Sequence, residues 1–145
     1  MDDRLLATGL TAEIEFLAAR SLAVGTANAN AALAALDLRV RSYSVLSLAA
    51  SGAAPSQREL AEFLRLDASQ IVALVDELEA RGLVVRTQNP RDRRSKSITA
   101  TRAGKALAIK ASLLTRKAES HSLGMLAEAE RDQLRTLLRK TAFTG

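Results

Sequence analysis

Between residues 56 and 101 the chain sets two helix-start signals, a glycine stop and two strand-forming runs around a basic turn, and this order admits few folds. Ser56-Gln57-Arg58-Glu59 has the form of a capping box. In that device the serine hydroxyl accepts from the third helical N–H while the glutamate reaches back to the serine N–H. Leu60, Phe63 and Leu64 follow and are expected to point inward. The helix is short, because Asp67-Ala68-Ser69-Gln70 opens another with Asp67 in the cap position. Ile71, Leu74, Val75 and Leu78 then give the i, i+3, i+4, i+7 spacing of one buried face as far as Arg81. Gly82 supplies a left-handed stop, and Leu83 is placed to fold back on Leu78 as in a Schellman motif. Leu83 to Thr87 reads as a strand and Ser97 to Ala100 as its partner.

The flanks are helical. One long helix is expected from Thr11 to about Leu36, with Ile14, Leu17, Ala18 and Leu22 on a stripe that Gly25, Ala29 and Ala32 continue with small residues. Asp37-Leu38 marks a break. A second helix runs from about Arg39 to Ala50, with Val40, Tyr43, Leu46 and Ala49 on one face, and residues 51–55 form a loop containing Gly52 and Pro55. Thr101 caps a helix from Arg102 to about Ser122. Gly124 interrupts, and a last helix runs from about Leu126 to Thr141 with Leu134, Leu137 and Leu138 on one face. The fold class expected is mainly α with a small β-hairpin wing. It is a winged helix-turn-helix over residues 37–101, with long dimerisation helices at 1–36 and 102–145, all in one 145-residue domain.

Several function classes fall away. There is no cysteine, which excludes disulfides, a thiol switch and cysteine-ligated zinc. No stretch approaches the roughly 20 apolar residues of a membrane span, and Met1-Asp2-Asp3-Arg4 does not open a signal peptide, so a cytoplasmic protein is expected. His121 is the only histidine, and no Gly-x-Ser-x-Gly elbow, phosphate-binding loop or metal-ligand cluster is present. The chain therefore reads as a non-enzyme without a cofactor, with His121 on the surface and Tyr43 in the core of its helix.

The charge layout points to DNA. The net charge of +5 is mild, but the turn between the two strands carries Arg91, Arg93, Arg94 and Lys96 against the single acid Asp92. A cationic finger of this kind suits the narrow, negative minor groove over A·T tracts. The expectation is that Asp92 holds the Arg94 guanidinium extended. In the helix from Ala68 the first half is small and uncharged, with Ser69, Gln70, Val72 and Ala73 available to base edges, while Asp76, Glu77 and Glu79 sit in the second half. Such a helix enters the major groove by its N-terminal end while the preceding one crosses the backbone. Ser56 and Arg58 are the residues expected to meet phosphate. The alternative is a winged-helix module that binds proteins and not DNA; such a module needs no cationic wing tip.

At this point the chain resembles the MarR family of bacterial regulators. The resemblance covers about Leu38 to Lys140. Its strongest parts are the run from Asp67 to Val84, the turn Asn89-Pro90-Arg91-Asp92-Arg93-Arg94 and Ile98-Thr99-Ala100-Thr101. It implies an obligate homodimer on a double-stranded, pseudo-palindromic operator, usually repressing, and often released by a small-molecule effector. Three departures stand out. Asn89 replaces the usual Asp of the wing turn, Ala100 stands where Leu is usual, and Val72 and Ala73 stand where polar or basic groups are common. The last change favours contact with thymine methyls over hydrogen bonds to bases.

Overall fold

The computed structural model describes residues 2–143. In chain order they form α1 (Asp3–Leu6), a 3-10 turn (Gly9–Ala12), α2 (Ile14–Leu33), a second 3-10 turn (Ala34–Leu36), α3 (Val40–Ala50), α4 (Gln57–Leu64), α5 (Ala68–Ala80), β1 (Val84–Gln88), β2 (Lys96–Ala100), α6 (Arg102–Ser122) and α7 (Glu128–Ala142). The mainly helical class with one small hairpin is the one expected.

The first long helix is shorter than its pattern suggested. Thr11 lies in the 3-10 turn, where its hydroxyl donates to the carbonyls of Leu6 and Thr8, and Glu13 is extended. At the other end the helix tightens after Leu33. Asp37 turns left-handed at φ 51° and the Leu38 N–H returns to the Leu33 carbonyl. The carbonyls of Leu36 and Asp37 accept from the Arg81 guanidinium at 3.0 and 2.6 Å, which satisfies two acceptors that the helix end cannot bond itself. Apolar spacing registers neither the 3-10 turns nor a partner 45 residues away.

The described residues divide into two compact units, residues 29–115 and the remainder. The first holds the whole buried core. Leu33, Leu38, Val45, Leu46, Leu60, Ile71, Val75, Leu78, Val84 and Ile98 are sealed from solvent, each contributing roughly 1.5–3 kcal/mol by leaving water. The inward face of α3 is Ser42, Val45, Leu46 and Ala49. Tyr43 is half-buried against this core. Phe63 is a correction: it is 57% exposed. Leu60 and Leu64, one turn apart, take the inward face of α4, and Phe63 instead lines a surface cleft of about 220 Å³ with Leu48, Pro55 and Arg91.

The wing is antiparallel, with Val84 opposite Ala100 and Gln88 opposite Lys96. β2 is also held from its other side. The Ile98 N–H donates to the Pro55 carbonyl at 2.7 Å, and Ser56 bridges to Ser97. At the root, Gly82 (φ 69°) closes the expected Schellman motif: the Leu83 N–H meets the Leu78 carbonyl and the Gly82 N–H the Glu79 carbonyl, both at 2.9 Å. Thr101 clips this turn to α6, its hydroxyl donating to the Gly82 carbonyl and accepting from the Gly104 N–H. The approach is so close that a Cβ on Gly104 would stand 1.9 Å from the Leu83 carbonyl oxygen. No helix of the described residues is long and apolar enough to cross a membrane.

Candidate nucleic-acid interface

Two short helices and the wing present the residues that the sequence singled out. α4 starts on a complete capping box: Ser56 Oγ accepts from the Glu59 N–H at 3.2 Å, and Glu59 Oε2 accepts from the Ser56 N–H at 2.7 Å. The same carboxylate oxygen also takes the Ser56 hydroxyl, at 2.9 Å. These donors, the Ser56 N–H first, hold the Glu59 carboxyl below the usual glutamate range. Ser56 is therefore buried and committed to the cap, with little surface for a phosphate. Arg58 is the opposite case. Its side chain is 88% exposed and, among the described residues, pairs only with Glu62 one turn on, a surface pair of little worth that a phosphate can displace.

α5 starts at the expected cap, with one addition. Asp67 occupies the cap position with extended backbone, and its N–H is taken by Gln70 Oε1 at 3.3 Å. The side chain assigned to base reading thus also serves the helix start. Its amide NH₂ remains a donor. Ser69, Val72 and Ala73 are exposed beside it, with Val72 at 39%.

At the wing tip, side chains shape the backbone. Asn89 is 5% exposed; its Oδ1 accepts from the Arg91 N–H and its amide donates to Ser95 Oγ. An aspartate could make the first bond equally well and could keep the second only by accepting from the Ser95 hydroxyl. Gln88 Nε2 donates to the Arg93 carbonyl at 2.6 Å. Asp92 Oδ1 accepts from the Arg94 backbone N–H at 2.9 Å. Asp92 therefore folds the turn, as an Asx turn does. The expected grip on the Arg94 guanidinium is not what this carboxylate makes. Arg91 lies 3.6 Å from Glu59. Arg93, Arg94 and Lys96 are exposed, and among the described residues none of their cationic groups has a hydrogen-bonding or ionic partner.

One constellation went unread in the sequence. Arg86 sits on β1, two residues beyond buried Val84 and on the same face, turned towards the helices. Its guanidinium bonds Gln57 Oε1 of α4 at 3.0 Å, Asp76 Oδ1 of α5 at 2.5 Å, and Glu79 of α5. Its side chain is only 20% exposed. The bond to Asp76 is the first cause that raises its pKa further above the ordinary arginine value. The signal was present: two acids three residues apart share a helix face, and an arginine follows the inward Val84 at strand period.

Comparison with known proteins gives this geometry a lineage. A protein-family model described as the MarR family matches residues 36–95. A crystal structure of a MarR-family transcriptional regulator from Rhodococcus sp. RHA1 is 41% identical. It covers 94% of this chain and 97% of its own, with a TM-score of 0.87. The chain belongs to the MarR family. This is a family of DNA-binding transcriptional regulators. A second similar solved structure is CouR from Rhodococcus jostii RHA1 bound to p-coumaroyl-CoA. CouR is 40% identical over 94% of this chain and 96% of its own, with a TM-score of 0.82. The HTH-type transcriptional regulator BilQ of Clostridium symbiosum is 35% identical over 89 residues, 61% of this chain and 62% of that protein. The MarR-family chain spans about three-fifths of the length of the curated relatives it matches. Its family is one of regulators and not generally of enzymes. Among its described residues no group of three or more His, Asp or Glu is placed to hold a metal ion.

Proposed function

We propose that this MarR-family protein is a homodimeric, sequence-specific repressor that binds a double-stranded pseudo-palindromic operator and leaves it when a small-molecule effector binds. The observation that carries the DNA reading is the pairing state of its cations. Among the described residues, Arg93, Arg94 and Lys96 stand exposed and unpartnered on a hairpin whose tip backbone is already folded, and Ser69, Val72 and Ala73 of α5 are exposed as well. α5 enters the major groove with Ser69, Gln70, Val72 and Ala73 on base edges, Arg58 reaches phosphate, and the wing follows into the adjacent minor groove. Ser56 supports this by fixing the start of α4.

The dimer rests on a second observation. In the unit formed by residues 2–28 and 116–143, no described side chain is fully buried. Yet Leu5, Leu10, Ile14, Leu17, Leu22, Leu137, Leu138 and Phe143 lie 46–81% exposed. Uncovered apolar surface on this scale within one unit is what an interface would bury. A two-fold dimer reads half-sites about 10–11 base pairs apart. The effector is supported by the CouR complex with p-coumaroyl-CoA; its chemistry in this protein is open to a ligand screen.

A gel-shift series against fragments of the source genome, repeated across salt concentrations, tests the DNA reading. Retention of selected fragments with an affinity that falls steeply with salt is expected. No retained fragment at low salt would leave the winged-helix protein-binding module as the better account.

A further inference from the structure

We infer that Arg86 is a positioning residue for DNA recognition, fixing the wing to the recognition helix before DNA arrives. The inference rests on the DNA-binding reading above. The wing is held on two sides by different means. On the β2 side the hold is backbone to backbone, through Ile98 to Pro55 and the Ser56–Ser97 bridge, and it reaches the loop ahead of α4. On the β1 side, beyond the turn at Gly82, the link to α5 is Arg86, chiefly through its guanidinium and more weakly through its backbone N–H, which donates to Glu79 Oε1 at 3.4 Å. Thr87 and Gln88, further out, are exposed. Arg86 is thus the last point at which the helices grip β1 before the tip.

The chemistry suits a bolt. A guanidinium is planar and presents its donors in fixed directions, so one side chain meets acceptors on three residues of two helices at once. Here these are Gln57, Asp76 and Glu79. The groups are ordered in the free protein, so the angle between wing and α5 is not left to be set during binding, and less entropy is lost then. The same engagement removes Arg86 from the pool of phosphate ligands. Of the basic residues near the wing, it is the one whose charge is already matched by two carboxylates.

That last point separates positioning from simple charge. We would titrate the full-length parent, Arg86→Met and Arg86→Lys against an operator fragment and a random duplex over a salt series. Amide exchange would be recorded on the free proteins. Arg86→Met should lose about tenfold or more on the operator, the scale of a lost charged hydrogen bond. It should lose less than about threefold on random DNA, and keep the parent's salt slope. Amides of Val84–Gln88 and Lys96–Ala100 should exchange faster while those of α3 do not. Arg86→Lys, which keeps the charge but not the fork, should fall between the two, and serves if the Met variant does not fold. The pair Asp76→Asn/Glu79→Gln should reproduce the defect.

The inference is overturned if Arg86→Met loses equally on both duplexes and its salt slope drops by about one unit, the mark of a phosphate contact. It is equally overturned if the Asp76 and Glu79 substitutions rescue that variant, since Arg86 would then act only by neutralising them. Unchanged wing exchange overturns it too. A parent with no operator preference would instead remove the DNA reading, and the exchange measurement would still decide whether Arg86 holds the wing.

Discussion

Two side chains carry a double duty that decides how they should be probed. Gln70 accepts the Asp67 N–H at the start of α5, so Gln70→Ala removes a helix contact together with a base-reading group. Gln70→Glu keeps the acceptor for Asp67 but presents no amide donor to adenine. In operator libraries both variants should lose preference at one base position per half-site, at about 1–3 kcal/mol. Only the alanine variant should also lower the melting temperature. Preference retained at every position would take Gln70 out of base reading. Asp92 is the second case. Its carboxylate accepts from the Arg94 N–H, and an asparagine oxygen can do the same. Asp92→Asn should therefore bind DNA more tightly than the parent, having lost a negative charge beside phosphate. Asp92→Ala should bind more weakly than Asp92→Asn, because the turn is lost with the charge. Equal affinities for the two variants would mean that the tip acts as a diffuse cationic patch.

The capping box gives α4 a built-in acid sensitivity. Ser56 lowers the pKa of the Glu59 carboxyl by hydrogen-bonding its ionised form. A carboxyl depressed in the folded state adds stability above its unfolded pKa. That stability is lost as the pH falls through the folded value, beginning near pH 4–5 for glutamate. Glu59→Gln retains an acceptor oxygen without the titration. Melting curves from pH 7 down to about pH 3 should show a smaller acid-induced fall for Glu59→Gln than for the parent. Parallel curves would show that the box contributes nothing that depends on charge. The exposure of Glu59 keeps the expected difference small, since solvent screens the group.

For the molecule as a whole, the uncovered apolar surface of residues 2–28 and 116–143 sets the expectation. If a second copy covers it, folding and association are linked, and the melting temperature should rise with protein concentration. Leu137→Glu and Leu138→Glu, at positions half-exposed in the single chain, should shift sedimentation towards monomer. They should also abolish operator binding, because two half-sites then no longer share one protein. A parent that sediments as a monomer with a concentration-independent melting temperature would remove the dimer from the proposal.

What the sequence by itself determined lies in its local rules. Capping at Ser56, the stop at Gly82 with Leu83 folding back on Leu78, Thr101 at the start of α6, and the strand pairing around a basic tip are all settled within a few residues. Each depends on hydrogen bonds or dihedrals that a short segment fixes alone. The ends of α2 were not legible, because a 3-10 tightening and the distant Arg81 decide them. Phe63 was misplaced for a similar reason. Helical spacing marks a face, but the neighbours α4 packs against decide how wide the buried stripe is. The acids of α5 looked like charges merely kept away from DNA. Only the tertiary structure brings Arg86 to Asp76 and Glu79 and adds Gln57 from another helix. A long-range ion pair leaves no periodicity in a sequence. Its partners are chosen by how the wing lies over the helices, and that is fixed by the packing of Val84, Ile98 and Leu78 in a common core.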